Sequence, residues 1–359
     1  DRNKKISSIS YLKGLGNISE KVERIIFIAN EIFNEIKDTS ICVQELLEAA
    51  KFSKQDLCSE IVKEFPELQG TMGGKYLMNE GFSKNISLAV SEHYFPRFYK
   101  DNLPSTKYGS ILAISDKLET LISIFVIGKR PSGSSDPYAL RRNLNGIIQI
   151  IWKNNLNLKF DKLIAKLLNH WHSKFSELNF NHHKILDDLI EFSQQRIISH
   201  LEDSSYERDV INSTCESENI RHLNILDIFD LKNRVETIQK LKSGKDSTDL
   251  INIISRYTKL ANKGNLENNI YTLKDKINIQ LFEKKSEVNV FEFLQLLENL
   301  VNTKDWEYSQ LINLFEENIQ LLIEIFDNTN GVMVMTEDLN LRNNRLNLLA
   351  LVRNYSLLI

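Results

Sequence analysis

Residues 19–36 read SEKVERIIFIANEIFNEI, and their pattern repeats along most of the chain. Apolar side chains recur three and four positions apart: Val22, Ile25, Ile26, Ala29, Ile32, Phe33 and Ile36. This spacing places them on one face of an α-helix, and Ser19 can cap the first turn. The segment therefore predicts an amphipathic helix packed on a core.

Similar patterns on both sides of this segment predict an all-α fold. We expect helices over residues 42–50, 55–64, 86–94, 109–127, 140–152, 160–174, 183–201, 226–241, 248–260, 290–301, 308–326 and from 336 or 338 to about 354. All five prolines precede residue 138, and only four glycines follow it. Proline destabilises a helix interior by ~3 kcal/mol and glycine by ~1 kcal/mol. Their scarcity therefore favours helix over the last 222 residues.

Breaks in the pattern predict the domain organisation. Residues 65–74 indicate a turn-rich connection, and Pro137 is expected at the first helical position with Asp136 as the cap. Residues 202–218 give the weakest helical signal. We predict a compact helical domain over residues 1–140, a helical body over 141–260 and a helical bundle over 261–359.

Composition excludes several classes of protein. The 45 basic and 48 acidic residues give a net charge of −3, so nucleic-acid binding would depend on local patches. Three widely separated cysteines exclude a disulfide framework and fit a reducing, cytoplasmic compartment. The apolar run at 121–127 is far below the ~20 residues that span a bilayer, so we expect no membrane partner. The first residue, Asp1, is not methionine, so we expect a fragment.

No catalytic centre is apparent in the sequence. An HD-type hydrolase needs adjacent histidine and aspartate ligands to hold the metal ion that activates water, and none of the seven histidines precedes an aspartate. Gln55 and Asp56 keep only the acid of such a pair. His93 and Asp116 could be remnants of the other ligands, and we expect them to make structural hydrogen bonds. Phosphate-binding and nucleophile motifs are also missing, so we predict no catalytic residue, metal or cofactor.

Two basic clusters remain as candidate nucleic-acid contacts. The first lies in residues 129–142 and contains Lys129, Arg130, Arg141 and Arg142. The second lies in residues 339–353 and contains Arg342, Arg345 and Arg353, with Asn344 nearby. Arginine forks suit phosphate groups and base edges. The alternative is that these cations are solvated or paired, for example Asp338 with Arg342 at i+4.

Ordered motifs across nearly the whole chain resemble one family. They are EFPELQG at 64–70, EHYFPRF at 92–98, SDKL at 115–118, KRPSGSSDPYALRR at 129–142 and, near the end, FD at 326–327, VMVM at 332–335, LR at 341–342 and NRL at 344–346. Together they are similar to the β subunit of bacterial glycyl-tRNA synthetase.

The resemblance implies a helical domain of the HD superfamily without its usual metal chemistry, an intervening helical region and a C-terminal bundle similar to the anticodon-binding domain of arginyl-tRNA synthetases. It implies a tRNA-binding β subunit of glycine–tRNA ligase, acting with an α subunit in an α2β2 tetramer. The α subunit would use ATP and Mg²⁺ to activate glycine, and this chain would contact tRNA(Gly) through the two basic clusters.

Some positions depart from the family pattern, and two other functions stay open. Ser135 stands where the family usually has lysine, and residues 262–264 are a degenerate form of a basic step. Gln55 stands where an active HD enzyme would have histidine. The alternatives are a metal-dependent nucleotide phosphohydrolase with Asp56, His93 and Asp116 as ligands, and a helical scaffold that binds no nucleic acid.

Overall fold

The computed structural model describes residues 2–98, 100–175, 177–178, 180–215, 227–244, 247–303 and 306–358. Every regular element within these ranges is helical, and backbone pairing between extended residues is confined there to isolated bridges. The predicted all-α fold class is confirmed. None of the helices in these ranges combines the length and the apolar character needed to cross a membrane.

The helices are numbered here in chain order. The first group is α1 Arg2–Ser7, α2 Ile18–Ile36, α3 Val43–Phe52, α4 Glu60–Glu64, α5 Thr71–Asn79, α6 Lys84–Glu92, α7 Lys107–Val126, α8 Leu140–Asn154, α9 Phe160–Lys174, α10 His182–Asp203 and α11 Arg208–Cys215. The second is α12 Ile228–Lys242, α13 Ser247–Ala261, α14 Leu273–Lys276, α15 Lys285–Val301, α16 Tyr308–Glu317, α17 Ile319–Glu324 and α18 Leu339–Ser356. Short 3-10 helices occupy Gln55–Cys58, Pro66–Leu68 and Ile279–Leu281.

The chain forms two compact units, Asp1–Lys232 and Asn233–Ile359, and the division falls within α12. The three-domain division at residues 140 and 260 stays a prediction. Parts of two predicted helices lie outside the described residues. They are residues 216–218, at the end of the segment with the weakest helical signal, and residue 226, the first of the helix expected over 226–241.

Helix α7 is the centre of the first unit. Its residues from Tyr108 to Val126 are buried, with Thr120 as the exception. A helix that is buried on all sides is normally apolar throughout. Helix α7 nevertheless carries Asp116, Lys117 and Glu119 in its interior. Buried charges need partners, so this charged turn organises the side chains that surround it.

Helix α18 is the centre of the second unit. It packs against α13 and α15, and its apolar side chains, including Leu346, Leu349 and Tyr355, are buried in one cluster with theirs. Asp338 caps the helix by accepting the backbone N–H groups of Asn340 and Leu341. Of the two starts predicted for this helix, residues 336 and 338, the structure has the second, where a carboxylate caps the first turn.

The turn-rich connection predicted over residues 65–74 is shorter in the structure, where α5 begins at Thr71. Its N-terminal residue Gly70 has no capping side chain. The carboxylate of Asp56 accepts the N–H groups of Gly70 at 2.7 Å and Gly73 at 3.2 Å instead. The cap comes from 14 residues earlier in the chain, so no local pattern reveals it.

Several other helix boundaries differ from the prediction. Asn17 caps α2 instead of Ser19, and α15 begins at Lys285 instead of residue 290. Pro137 does not begin a helix; α8 begins at Leu140, although Asp136 still accepts two N–H groups of its first turn. The helix expected over 308–326 is interrupted at Asn318, whose side-chain amide donates back to the carbonyl of Leu314. The helix expected over 55–64 is interrupted at Ser59, which caps α4.

Candidate functional site

A buried network of charged side chains surrounds α7. Its members come from four helices and the residues that follow them: Lys21 and Arg24 on α2, Lys54 after α3, His93 after α6, and Asp116 and Glu119 on α7. All six are buried. The network contains two of the three residues considered as degenerate metal ligands, His93 and Asp116.

Lys54 lies between His93 and Asp116. Its ammonium Nζ donates to Asp116 Oδ2 at 2.8 Å, lies 2.9 Å from His93 Nε2 and is 3.9 Å from the centre of the Tyr94 ring. His93 Nδ1 lies 2.6 Å from the carbonyl oxygen of Val90. A carbonyl only accepts hydrogen bonds, so Nδ1 carries the imidazole proton and Nε2 accepts from the ammonium. This arrangement fixes a neutral His93.

The pKa values follow from this geometry. Burial, together with the charge of Lys54, lowers the pKa of His93 to about 3. Burial raises the pKa of Asp116, but the ammonium groups of Lys54 and Lys21 outweigh it and hold that pKa well below its usual range. Burial also lowers the pKa of Lys54, and Asp116 partly offsets that effect. The inner pair is therefore an ammonium and a carboxylate with a neutral imidazole beside them.

Glu119 anchors the other half of the network. Its carboxylate accepts from Lys21, from Arg24 Nε at 2.9 Å and from Ser123 Oγ at 2.8 Å. Lys21 also lies 3.6 Å from Asp116 Oδ1, which joins the two halves. Such pairing is what permits charged side chains to remain inside a protein.

The three residues considered as metal ligands, Asp56, His93 and Asp116, are not arranged to hold a metal ion. His93 and Asp116 are brought together, but the Lys54 ammonium occupies the position between them and consumes the lone pair of Nε2. Asp56 accepts backbone N–H groups instead. Within the described part of the chain, no group of three or more His, Cys, Asp or Glu side chains is arranged to hold a metal. Sequence reasoning missed Lys54 because nothing local distinguishes it from a surface lysine.

The first basic cluster lies on the surface between α7 and α8. Arg130 is paired with Asp188, and Arg141 donates to the carbonyl of Gly133 at 2.8 Å. Arg142 is exposed, and its guanidinium makes one hydrogen bond among the described residues, to the carbonyl of Arg97 at 3.2 Å. Lys129 is exposed and makes no ion pair within the described residues. Lys129 and Arg142 are therefore the exposed members whose charge no carboxylate neutralises within the described residues.

The second basic cluster is mostly inside the unit. Arg345 is 4% exposed and donates to Glu287 and Glu283 at 2.8 Å each. Arg353, also 4% exposed, donates to Asn262 and to the carbonyl of Leu266. These two guanidinium groups hold separate segments of the unit together, and their predicted tRNA contacts stay untested predictions.

Asn344 and Arg342 have opposite environments. Asn344 is buried and exchanges two hydrogen bonds with the backbone of Asn278, at 2.8 and 3.0 Å. Arg342 is half-buried and makes no ion pair within the described residues. Asp338, considered as its partner, uses its carboxylate to cap α18. Among the residues of this cluster that were predicted to contact tRNA, Arg342 has the most exposed side chain.

A family model described as "Glycyl-tRNA synthetase beta subunit" matches residues 1–216. This chain belongs to that family. The resemblance inferred from the ordered motifs is confirmed.

Relatives extend the match over the rest of the chain. The "Glycine--tRNA ligase beta subunit" of Acaryochloris marina is 32% identical over 359 residues, covering 99% of this chain and 50% of the relative. That of Persephonella marina is 32% identical and covers 97% and 48%. That of Rickettsia bellii is 31% identical and covers 95% and 46%. The chain thus spans about half the length of these curated relatives.

Proposed function

We propose that this chain is the tRNA-binding part of the β subunit of glycine–tRNA ligase, in which α and β subunits together attach glycine to tRNA(Gly). The observation that carries the proposal is the match of proteins named as this subunit across 95–99% of the chain. The hydrolase alternative has no such support. Its ligand set is also broken by Lys54, which lies between His93 and Asp116.

In this proposal the chain binds RNA and does not form the aminoacyl bond. Its accessible cations, Lys129, Arg142 and Arg342, would contact phosphates, as positively charged side chains do in RNA complexes. ATP and Mg²⁺ would act on the α subunit, in an α2β2 assembly. Cys42, Cys58 and Cys215 form no disulfide within the described residues, which agrees with a reducing compartment such as the cytoplasm.

The test uses the complete β protein with its α subunit. Filter binding of tRNA(Gly) at low and moderate salt should show tight binding that weakens steeply with salt, because phosphate contacts release counterions. The double variant Lys129→Ala/Arg142→Ala should raise KM for tRNA several-fold and leave KM for glycine and ATP unchanged. Lys75→Ala, an exposed lysine on α5 without an ion pair in the described residues, is the matched control.

Two results would contradict the proposal. Absence of tRNA binding by the wild-type complex would favour the helical scaffold. If the wild-type complex binds tRNA and the double variant has the same KM for tRNA, Lys129 and Arg142 do not contact the RNA. Arg345→Ala is a poor probe of RNA contact, because the buried pairing with Glu287 makes loss of the fold its first effect.

A further inference from the structure

A groove lies in the first unit, where the last turn of α7 meets the residues that lead into α10. Its volume is about 620 Å³. Phe125 and Ile127 line it at the end of α7, and Leu178 and Phe180 line it before α10. We call it the α7–α10 groove. Neither the charged network around α7 nor the proposed RNA contacts account for it.

The floor of the groove is apolar and is held in place by packing. Phe125 is 2% exposed, and its ring centre lies 5.5 Å from that of Phe192 on α10. The Phe180 ring meets the imidazole of His172 edge-on, with the ring centres 5.6 Å apart. Ile185 is buried in the first turn of α10. Because these contacts already fix the floor, few groups must be ordered when a ligand binds.

The rim of the groove is positively charged. Lys13, Arg130 and Lys184 line it and are exposed, and no carboxylate lines it within the described residues. Asp188 offsets the charge of Arg130. Lys13 and Lys184 make no ion pair in that part of the chain. A ligand that carries carboxylates would therefore complement the rim, and such complementarity speeds association and selects the partner.

The shape and the lining of the groove favour a peptide over other ligands. Small ligands typically bury about 70–90% of their surface in a pocket, whereas this groove is open to solvent. An RNA strand would place phosphates and riboses over the apolar floor, where they would lose water without gaining hydrogen bonds. A peptide can turn apolar side chains inward and carry charge at its edges, as segments that dock in hydrophobic grooves do.

We propose that the α7–α10 groove docks an acidic segment of a partner protein. Large apolar side chains of this segment pack on Phe125 and Phe180. Its carboxylates pair with Lys13 and Lys184, to which the described residues offer no carboxylate. The inference goes beyond the proposed function and does not depend on it, because it uses none of the cations assigned to RNA.

The test uses the complete β protein with its α subunit and a random library of short peptides displayed on phage. Selection on this complex should enrich peptides that combine large apolar residues with a net negative charge. The Kd of an enriched peptide is then measured by fluorescence anisotropy. Lys13→Glu/Lys184→Glu should raise that Kd by at least about 10-fold, because like charges would then face each other. The same peptide with its acidic residues changed to lysine should bind this variant more tightly than wild type.

Two further variants separate the floor from the rim. Phe180→Ser removes apolar surface and keeps both lysines, and it should raise the Kd of the acidic peptide by about 10-fold. Lys75→Glu, on an exposed lysine of α5 without an ion pair in the described residues, is the matched control for the charge change. It should change Kd by less than about 2-fold, because salt screens distant surface charges. Circular dichroism melting checks that each variant is folded.

The outcomes decide the inference. Weaker binding of the acidic peptide and tighter binding of its lysine counterpart, both on the charge-reversal variant, would support it. Three results would overturn it: a selection that enriches no acidic, apolar peptide; an enriched peptide whose Kd the charge reversal leaves unchanged; and a variant that keeps peptide binding but loses affinity for tRNA(Gly). The last result would make the groove an RNA contact.

Discussion

Lys54→Met removes the ammonium group between His93 and Asp116 and keeps most of the side-chain volume. Removing one member of a buried ion pair typically destabilises a protein by ~3–5 kcal/mol. Asp116 retains Lys21 at 3.6 Å, so we expect the lower end, about 3 kcal/mol at pH 7. The measurement is urea unfolding of this chain, followed by circular dichroism. Lys75→Met on the surface of α5 is the control, expected within about 0.5 kcal/mol of wild type.

The pH dependence makes this prediction specific. The pKa of His93 is about 3 in the folded protein and ordinarily 6.5. Because the unfolded state binds the extra proton, His93 stabilises the wild type above pH 6.5, and that stability is lost as pH falls towards 3. Because the unfolded imidazole is already half protonated at pH 6.5, the loss between pH 6.5 and 5 is ~1.6 kcal/mol.

The variant should respond less to acid. Without the Lys54 charge, His93 can protonate beside Asp116, although burial still opposes it. The difference in unfolding free energy between wild type and variant should therefore shrink by ~1 kcal/mol from pH 7 to pH 5. Asp116 does not contribute in this window, because its unfolded pKa of about 3.9 lies below it. A difference under about 1 kcal/mol at pH 7, or one that does not change with pH, would refute the reasoning.

Two further substitutions test the packing of each unit. Arg345→Met leaves the fully buried Glu287 without its guanidinium partner and should destabilise the second unit by ~3–5 kcal/mol, measured by thermal unfolding. The control, Arg342→Met, should change the free energy of unfolding by under about 0.5 kcal/mol in the same assay. Gly74→Ala would place a Cβ 2.4 Å from the carbonyl oxygen of Ser87, so we expect a loss of ~1–3 kcal/mol by urea unfolding from separation of α5 and α6. A loss under about 0.5 kcal/mol would contradict this contact.

Features encoded within one helix were predictable from the sequence. The helix expected over 109–127 is α7, and the later of the two starts considered for the last helix, residue 338, is the cap of α18. The start of α5 was missed because Asp56 caps it from a distance. The pairing of Arg345 with Glu287 joins positions 58 residues apart. No periodicity within a helix encodes which distant carboxylate a cation will meet.

The candidate site shows the same limit. The sequence indicated that Asp56, His93 and Asp116 lack a complete ligand set, but not that a lysine would complete the cluster. It also placed the expected RNA contacts of the second cluster on Arg342, Arg345 and Arg353, and the structure buries Arg345 and Arg353. The α7–α10 groove was overlooked because its lining residues come from separate segments of the chain.

The central claim is that this chain supplies an RNA-binding surface, and hydrogen–deuterium exchange of the complete β protein with its α subunit tests it most directly. With tRNA(Gly) bound, we predict slower exchange around the cations proposed to contact phosphates, Lys129, Arg142 and Arg342. Saturating tRNA that slows exchange elsewhere in the complex but leaves residues 1–359 unchanged would contradict the account.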